Sequence, residues 1–232
     1  MSIDGLLKMT LLDYPGYVAA TIFFGGCNFF CPYCHNKDLV ISTSQTSSYS
    51  QEDVILYLSK RKPLLDGVCI SGGEPTLQKD LAPFLVQIKA LGYKIKLDTN
   101  GSNPDVLMNL YHQNLLDYVA MDIKHTPDKY PLIINQPNFD IGKIKASVSF
   151  LKKLSIPYEF RTTVVSEFHK KEDFEEIGEW LKGADSYFLQ CYKDSDNVIS
   201  PGFHAPKKED LITYADLLQK KIKIVKIRGV DL

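Results

Sequence analysis

A chain of 232 residues, 44% hydrophobic and 24% charged, has the makeup of an ordinary globular protein with one sizeable core. Its 27 basic and 28 acidic residues leave a net charge of −1, which excludes the strong field that gathers nucleic acid or anionic lipid. Residues 1–9 lack the basic and apolar regions of a signal peptide and no stretch reaches the length of a membrane span, so the expectation is a cytoplasmic protein whose five cysteines are metal ligands or catalytic groups.

In chain order, residues 5–17 predict a strand and a Tyr-Pro-Gly turn, an N-terminal hairpin within 1–17 laid beside the first main strand. Residues 18–24 are continuously apolar, as in a strand buried on both faces. A loop over 25–36 follows directly and holds Cys27, Cys31 and Cys34 at spacing C-x3-C-x2-C. After a Ser/Thr/Gln connector at 42–50, Ser50 and the acidic Glu52 and Asp53 open a helix to about residue 59. Strands are then predicted at 67–71, 93–98, 118–122, 158–165, 186–190 and 222–227. Helices fall at 80–91, 104–112, 142–154, 171–182 and 207–220, and long loops at 123–139 and 191–206.

Strand and helix alternate through about six βα units, too few for a closed eight-unit barrel. The predicted fold is α/β, a partial (βα)6 TIM-like barrel forming one domain over 1–232. A doubly wound open sheet has the same alternation and stays open as the alternative. In either case the segments after the strands gather at the carboxyl ends, where parallel α/β folds bind ligands.

Three thiols in one Gly- and Pro-containing loop can converge on an inorganic centre, and soft thiolates select zinc, Cu(I) or iron–sulfur clusters. Structural zinc needs four protein ligands, so a distant Cys69, Cys191 or His35 would have to complete it. The other reading is a 4Fe–4S cluster with one iron left for a substrate. The Cys27–Cys34 spacing with aromatic Tyr33 resembles the signature of radical S-adenosylmethionine (SAM) enzymes, and Cys34-His35-Asn36 is similar to activating enzymes of glycyl-radical enzymes. Asp13-Tyr14-Pro15-Gly16, Ser71-Gly72-Gly73-Glu74-Pro75-Thr76, Leu97-Asp98-Thr99-Asn100-Gly101, Met121-Asp122-Ile123-Lys124 and Phe160-Arg161-Thr162-Thr163-Val164-Val165 extend the likeness over nearly the whole chain. The family resembled is that of anaerobic ribonucleoside-triphosphate reductase activating proteins.

The resemblance implies a 4Fe–4S cluster on Cys27, Cys31 and Cys34, with Gly72, Gly73 and Glu74 at the methionine amine of SAM. It implies Asp98, Thr99 and Asp122 around a monovalent cation, Lys124 and Arg161 toward the SAM carboxylate or ribose, and Tyr33 and His35 beside the adenine. Plainer roles stand beside each: a tight turn for Gly72–Gly73, helix capping for Asp98, an ion pair of Asp122 with Lys124, a partner in Glu159 or Asp185 for Arg161, and loop packing for Tyr33. Cys69, inside an apolar run, reads as a core residue, and Cys191 carries no spacing signal.

The function implied is reductive cleavage of SAM and formation of a glycyl radical on a partner, an anaerobic ribonucleotide reductase, with a flavodoxin-like or ferredoxin-like electron donor. A radical SAM enzyme acting on a small molecule is the alternative, and a structural zinc module the remote one. Neither nucleic acid nor membrane is an expected partner.

Overall fold

The computed structural model describes residues 1–41 and 48–230, so most of the predicted connector lies outside the described residues. The elements are β1 (Ile3–Thr10), β2 (Ala19–Phe24), α1 (Lys37–Ile41), α2 (Gln51–Arg61), β3 (Gly67–Gly72), α3 (Leu81–Ala90), β4 (Lys94–Thr99), α4 (Pro104–His112), β5 (Tyr118–Asp122), α5 (Tyr130–Ile133), α6 (Gly142–Leu151), β6 (Tyr158–Val164), α7 (Lys171–Trp180), β7 (Ser186–Cys191), α8 (Lys208–Gln219) and β8 (Ile224–Arg228). The strands are ordered β1 to β8, each beside its neighbour in the chain. β1 runs antiparallel to β2, so residues 1–17 supply one strand paired with the first main strand and not a hairpin of their own, whereas β2–β3, β3–β4, β6–β7 and β7–β8 are parallel. This eight-strand, mostly parallel α/β arrangement has the element order of a partial (βα)6 barrel.

The chain divides into two compact units. The first comprises Met1–Asn28, Asp38–Ala120 and Ser155–Pro157; the second comprises Phe29–Lys37, Met121–Leu154 and Tyr158–Leu232.

In the first unit Ala20, Ile22 and Phe24 of β2, Val68 and Ile70 of β3, and Ile95 and Leu97 of β4 are fully buried. A buried Leu, Ile, Val or Phe side chain stabilises by about 1.5–3 kcal/mol, so these short strands hold together through packing. Helix α2 starts as predicted, with Ser50 accepting from the Asp53 N–H at 3.0 Å in a capping box. In the second unit Phe160, Tyr187 and Leu189 of the strands and Phe174 and Leu211 of the helices are fully buried.

Three short helical pieces depart from the predicted pattern: α1, α5, and a 3-10 turn at Pro75–Leu77. Each is too short to carry a periodicity signal and is held by its surroundings. Elsewhere the observed boundaries fall within a few residues of the predicted ones.

Candidate functional site

In the first unit the chain leaves β2 at Phe24, and the cysteine loop begins on anchored backbone. The Gly26 N–H donates to the Leu39 carbonyl at 2.7 Å, and the Gly26 carbonyl accepts from the Glu74 N–H at 2.8 Å. Gly72 and Gly73 are glycines because of this packing. A Cβ on Gly72, at φ +124°, would meet the Phe24 backbone at 2.3 Å, and one on Gly73 would stand 2.1 Å from the Gly26 carbonyl oxygen. The pair seats the start of the cysteine loop.

Glu74 is fully buried, and its carboxylate collects donors from two strand ends. Oε1 accepts from the Thr76 N–H (3.1 Å), Thr76 Oγ1 (2.5 Å) and Thr99 Oγ1 (2.7 Å), and Oε2 from the Asn100 N–H at 2.6 Å. Burial pushes this carboxyl above its ordinary range, and the donors pull it back only in part. Thr99 therefore contacts Glu74. The Asn100 side chain donates to Asn28 Oδ1 at 2.9 Å and to Cys27 Sγ at 3.9 Å, while Asn28 donates to Ser102 Oγ at 2.9 Å. The contact of Asn100 with Cys27 is one that sequence reasoning left unassigned.

Asp98, the penultimate residue of β4, does not cap a helix. It accepts from Ser71 Oγ at 3.1 Å and from Lys96 Nζ, and Lys96 also lies 3.7 Å from Cys69 Sγ. Helix α4 instead starts at Asn103, whose side chain donates to Thr76 Oγ1. Cys69 is fully buried, as its apolar setting predicts.

In the second unit Cys31 is buried and Cys34 half-buried, and the Cys34 N–H closes a turn on the Cys31 carbonyl at 3.0 Å. The long loop after β7 braces this segment from outside: the Ser200 N–H donates to the Pro32 carbonyl and the Ile199 N–H to the Cys34 carbonyl. Tyr33 is buried, and among the described residues its hydroxyl has no hydrogen-bond partner. Burial and the neighbouring Cys31 push that hydroxyl's pKa well above the usual tyrosine value. The ring of His35 packs edge-on against Tyr192 at 5.1 Å, and burial lowers its pKa.

Asp122 ends β5 and is held from two sides, by Arg161 Nε at 2.7 Å and Lys124 Nζ at 2.9 Å. Burial opposes its ionisation, but the two cations outweigh that and hold the carboxyl far below the usual range. The ion pair allowed for Asp122 and Lys124 is thus present. Arg161 pairs with Asp122, while Glu159 accepts from the two terminal guanidinium nitrogens of Arg228 and Asp185 pairs with Lys223.

Behind Lys124, His125 and His169 stack with ring centroids 4.9 Å apart. The Thr126 and Val165 N–H groups donate to the two Nδ1 atoms, so each Nε2 carries the proton and donates, His125 to the Phe168 carbonyl and His169 to that of Lys124.

Among the described residues no three His, Cys, Asp or Glu side chains are placed to ligate a single metal ion. Among the described residues no cysteine is in a disulfide.

The radical SAM superfamily model matches residues 21–181. A candidate glycyl-radical enzyme activating enzyme of Methanocaldococcus jannaschii is 32% identical over 237 residues, covering 99% of this chain and 96% of that protein. The pyruvate formate-lyase-activating enzyme of Staphylococcus epidermidis is 30% identical over 77% of this chain and 74% of its own length. Among solved structures, Streptococcus suis SuiB bound to S-adenosylmethionine has a TM-score of 0.66 at 16% identity, covering 90% of this chain and 52% of that one, a likeness of fold.

Proposed function

The chain belongs to the radical SAM superfamily and, within it, to the glycyl-radical enzyme activating enzymes, and from that premise we propose that it generates a glycyl radical on an anaerobic ribonucleoside-triphosphate reductase. The donor set fits the 4Fe–4S cluster and the SAM that the family implies. Cys27, Cys31 and Cys34 stand near one another in sequence and are in no disulfide, and as one thiolate on each of three irons they would leave the fourth iron of such a cluster open. When bound, the cluster and SAM together supply one-electron cleavage of a sulfonium and removal of a hydrogen atom from the partner's glycine.

The chain's own residues supply placement. Asn100 donates toward Cys27, and the glycine pair fixes where that cysteine starts. Lys124 and Arg161 offer donors for the carboxylate or ribose of SAM, held in place by Asp122.

The observation that carries the reading is the buried Tyr33 hydroxyl, which has no partner among the described residues and lies between two of the cysteines in sequence. A buried hydroxyl left unpaired costs about 1–3 kcal/mol, a cost the adenine or ribose of SAM would remove. A flavodoxin-like or ferredoxin-like protein is the proposed electron donor and the cytoplasm the proposed compartment. No helix of the described residues is long and apolar enough to cross a membrane.

The test is anaerobic reconstitution with iron and sulfide, then reductant, SAM and the candidate reductase. The expected result is 5′-deoxyadenosine together with a glycyl-radical doublet in electron paramagnetic resonance. Cleavage of SAM with no radical on any glycyl-radical partner would favour a small-molecule substrate. One zinc with neither iron nor sulfide would select a structural zinc module.

A further inference from the structure

On β4 the spacing Lys96-Leu97-Asp98 puts an ammonium and a carboxylate on one face of the strand, since residues two apart point the same way. The two are joined: Lys96 Nζ donates to Asp98 Oδ1, while Ser71 Oγ donates to Oδ2. The Lys96 side chain is only 3% exposed. A lysine that deep keeps its charge by having a counter-charge, and Asp98 is that counter-charge. At the end of β5 the reverse spacing, Asp122-Ile123-Lys124, gives the second pair, with Arg161 on the other carboxylate oxygen.

Asp98 and Asp122 are the carboxylates that the family resemblance assigns to a monovalent cation. A hard cation asks for oxygen ligands around it. Here the carboxylate oxygens already accept from ammonium, guanidinium and hydroxyl groups, and the ammonium and guanidinium repel a further positive charge. The residues present do not fit a bound alkali ion.

We propose that Lys96 is the resident counter-cation of Asp98, a positioning residue that does within the fold what a bound alkali ion would otherwise do. The consequence is a SAM site indifferent to potassium and sodium. That consequence rests on the function proposed above, so the experiment carries a second readout that does not.

In the reconstituted protein, SAM affinity is measured in potassium, sodium and choline chloride at equal ionic strength. The wild type is expected to bind with affinities within about twofold of one another. Lys96→Met, which keeps the stem and removes the charge, is expected to bind roughly tenfold more weakly in choline and to recover in an alkali salt. Lys96→Arg should stay indifferent.

The second readout is thermal unfolding of the cluster-free chain without SAM. The Lys96→Met variant should be stabilised by a few degrees by potassium over choline, and the wild type should not.

A wild type that requires an alkali ion overturns the proposal. So does a Lys96→Met variant that binds like wild type in every salt, or one that is weak in every salt with no alkali effect on melting. Should the wild type bind no SAM in any salt, the function proposed above fails while the melting comparison still decides the role of Lys96. Misfolding of Lys96→Met leaves the wild-type salt comparison and Lys96→Arg to decide it.

Discussion

Gly73 lies so close beneath Gly26 that a single added methyl group on Gly73 would stand 2.1 Å from the Gly26 carbonyl oxygen, well inside any van der Waals contact. The neighbouring atoms are backbone, so the clash can be relieved only by moving the cysteine loop. Gly73→Ala should lower stability by about 1–3 kcal/mol, the usual cost of overpacking. It should also lower iron and sulfide content after reconstitution. Urea unfolding and metal analysis check the two effects on one preparation.

The cysteines divide by setting. Replacing Cys27, Cys31 or Cys34 singly with Ala should abolish cluster incorporation, read as loss of iron, sulfide and the broad visible absorption. Cys69→Ala should retain the cluster, because Cys69 is a core side chain beside Lys96. A full cluster in all three loop variants would contradict the ligand assignment.

Tyr33→Phe separates a packing role from a binding one. Removing a buried hydroxyl that has no partner among the described residues should leave the unliganded protein as stable as before, or more so. Affinity for SAM should fall by about 0.5–1.5 kcal/mol, the worth of one hydrogen bond. Unchanged affinity, measured by equilibrium binding to the reconstituted protein, would return Tyr33 to a packing role.

His169 should make stability depend on pH. Burial, with His125 beside it, lowers its pKa from the ordinary value of 6.5 to about 4. The unfolded chain therefore takes up this proton first as the pH falls. The contribution is fully present above about pH 6.5 and is lost as the pH falls toward about 4. The groups around it are the stacked His125, the Asp173 carboxylate with its partner Lys129, and the backbone groups of Val165 and Lys124. His169→Gln keeps a donor and cannot titrate, so its denaturation midpoint should fall less steeply across that window. Equal slopes for variant and wild type would show that His169 does not titrate there.

The alternation of elements was legible in the sequence because runs such as 18–24 and 118–122 are long enough, and apolar enough, to declare buried strands. The cysteine loop stood out through its spacing, and the segments ending β3, β4 and β5 through the family resemblance. What escaped were features set by the third dimension. Nothing in the sequence singles out Lys96, since alternation gives its face but not that this face is enclosed. Arg161 pairs with Asp122, 39 residues away, a contact that strand alternation does not announce. Asn100 sat inside a recognised segment, but nothing in its spacing said that its amide reaches back 73 positions to Cys27.

Glu74 draws Thr76, Thr99 and Asn100 onto one carboxylate with protein groups alone. The ends of β3 and β4 are thereby tied together through one side chain. Under the proposed function, a ligand docking there would require little ordering of the backbone, which leaves its binding energy for holding and orienting it. Cutting the latch with Glu74→Ala would turn a rigid receptor into one that must organise itself at each encounter.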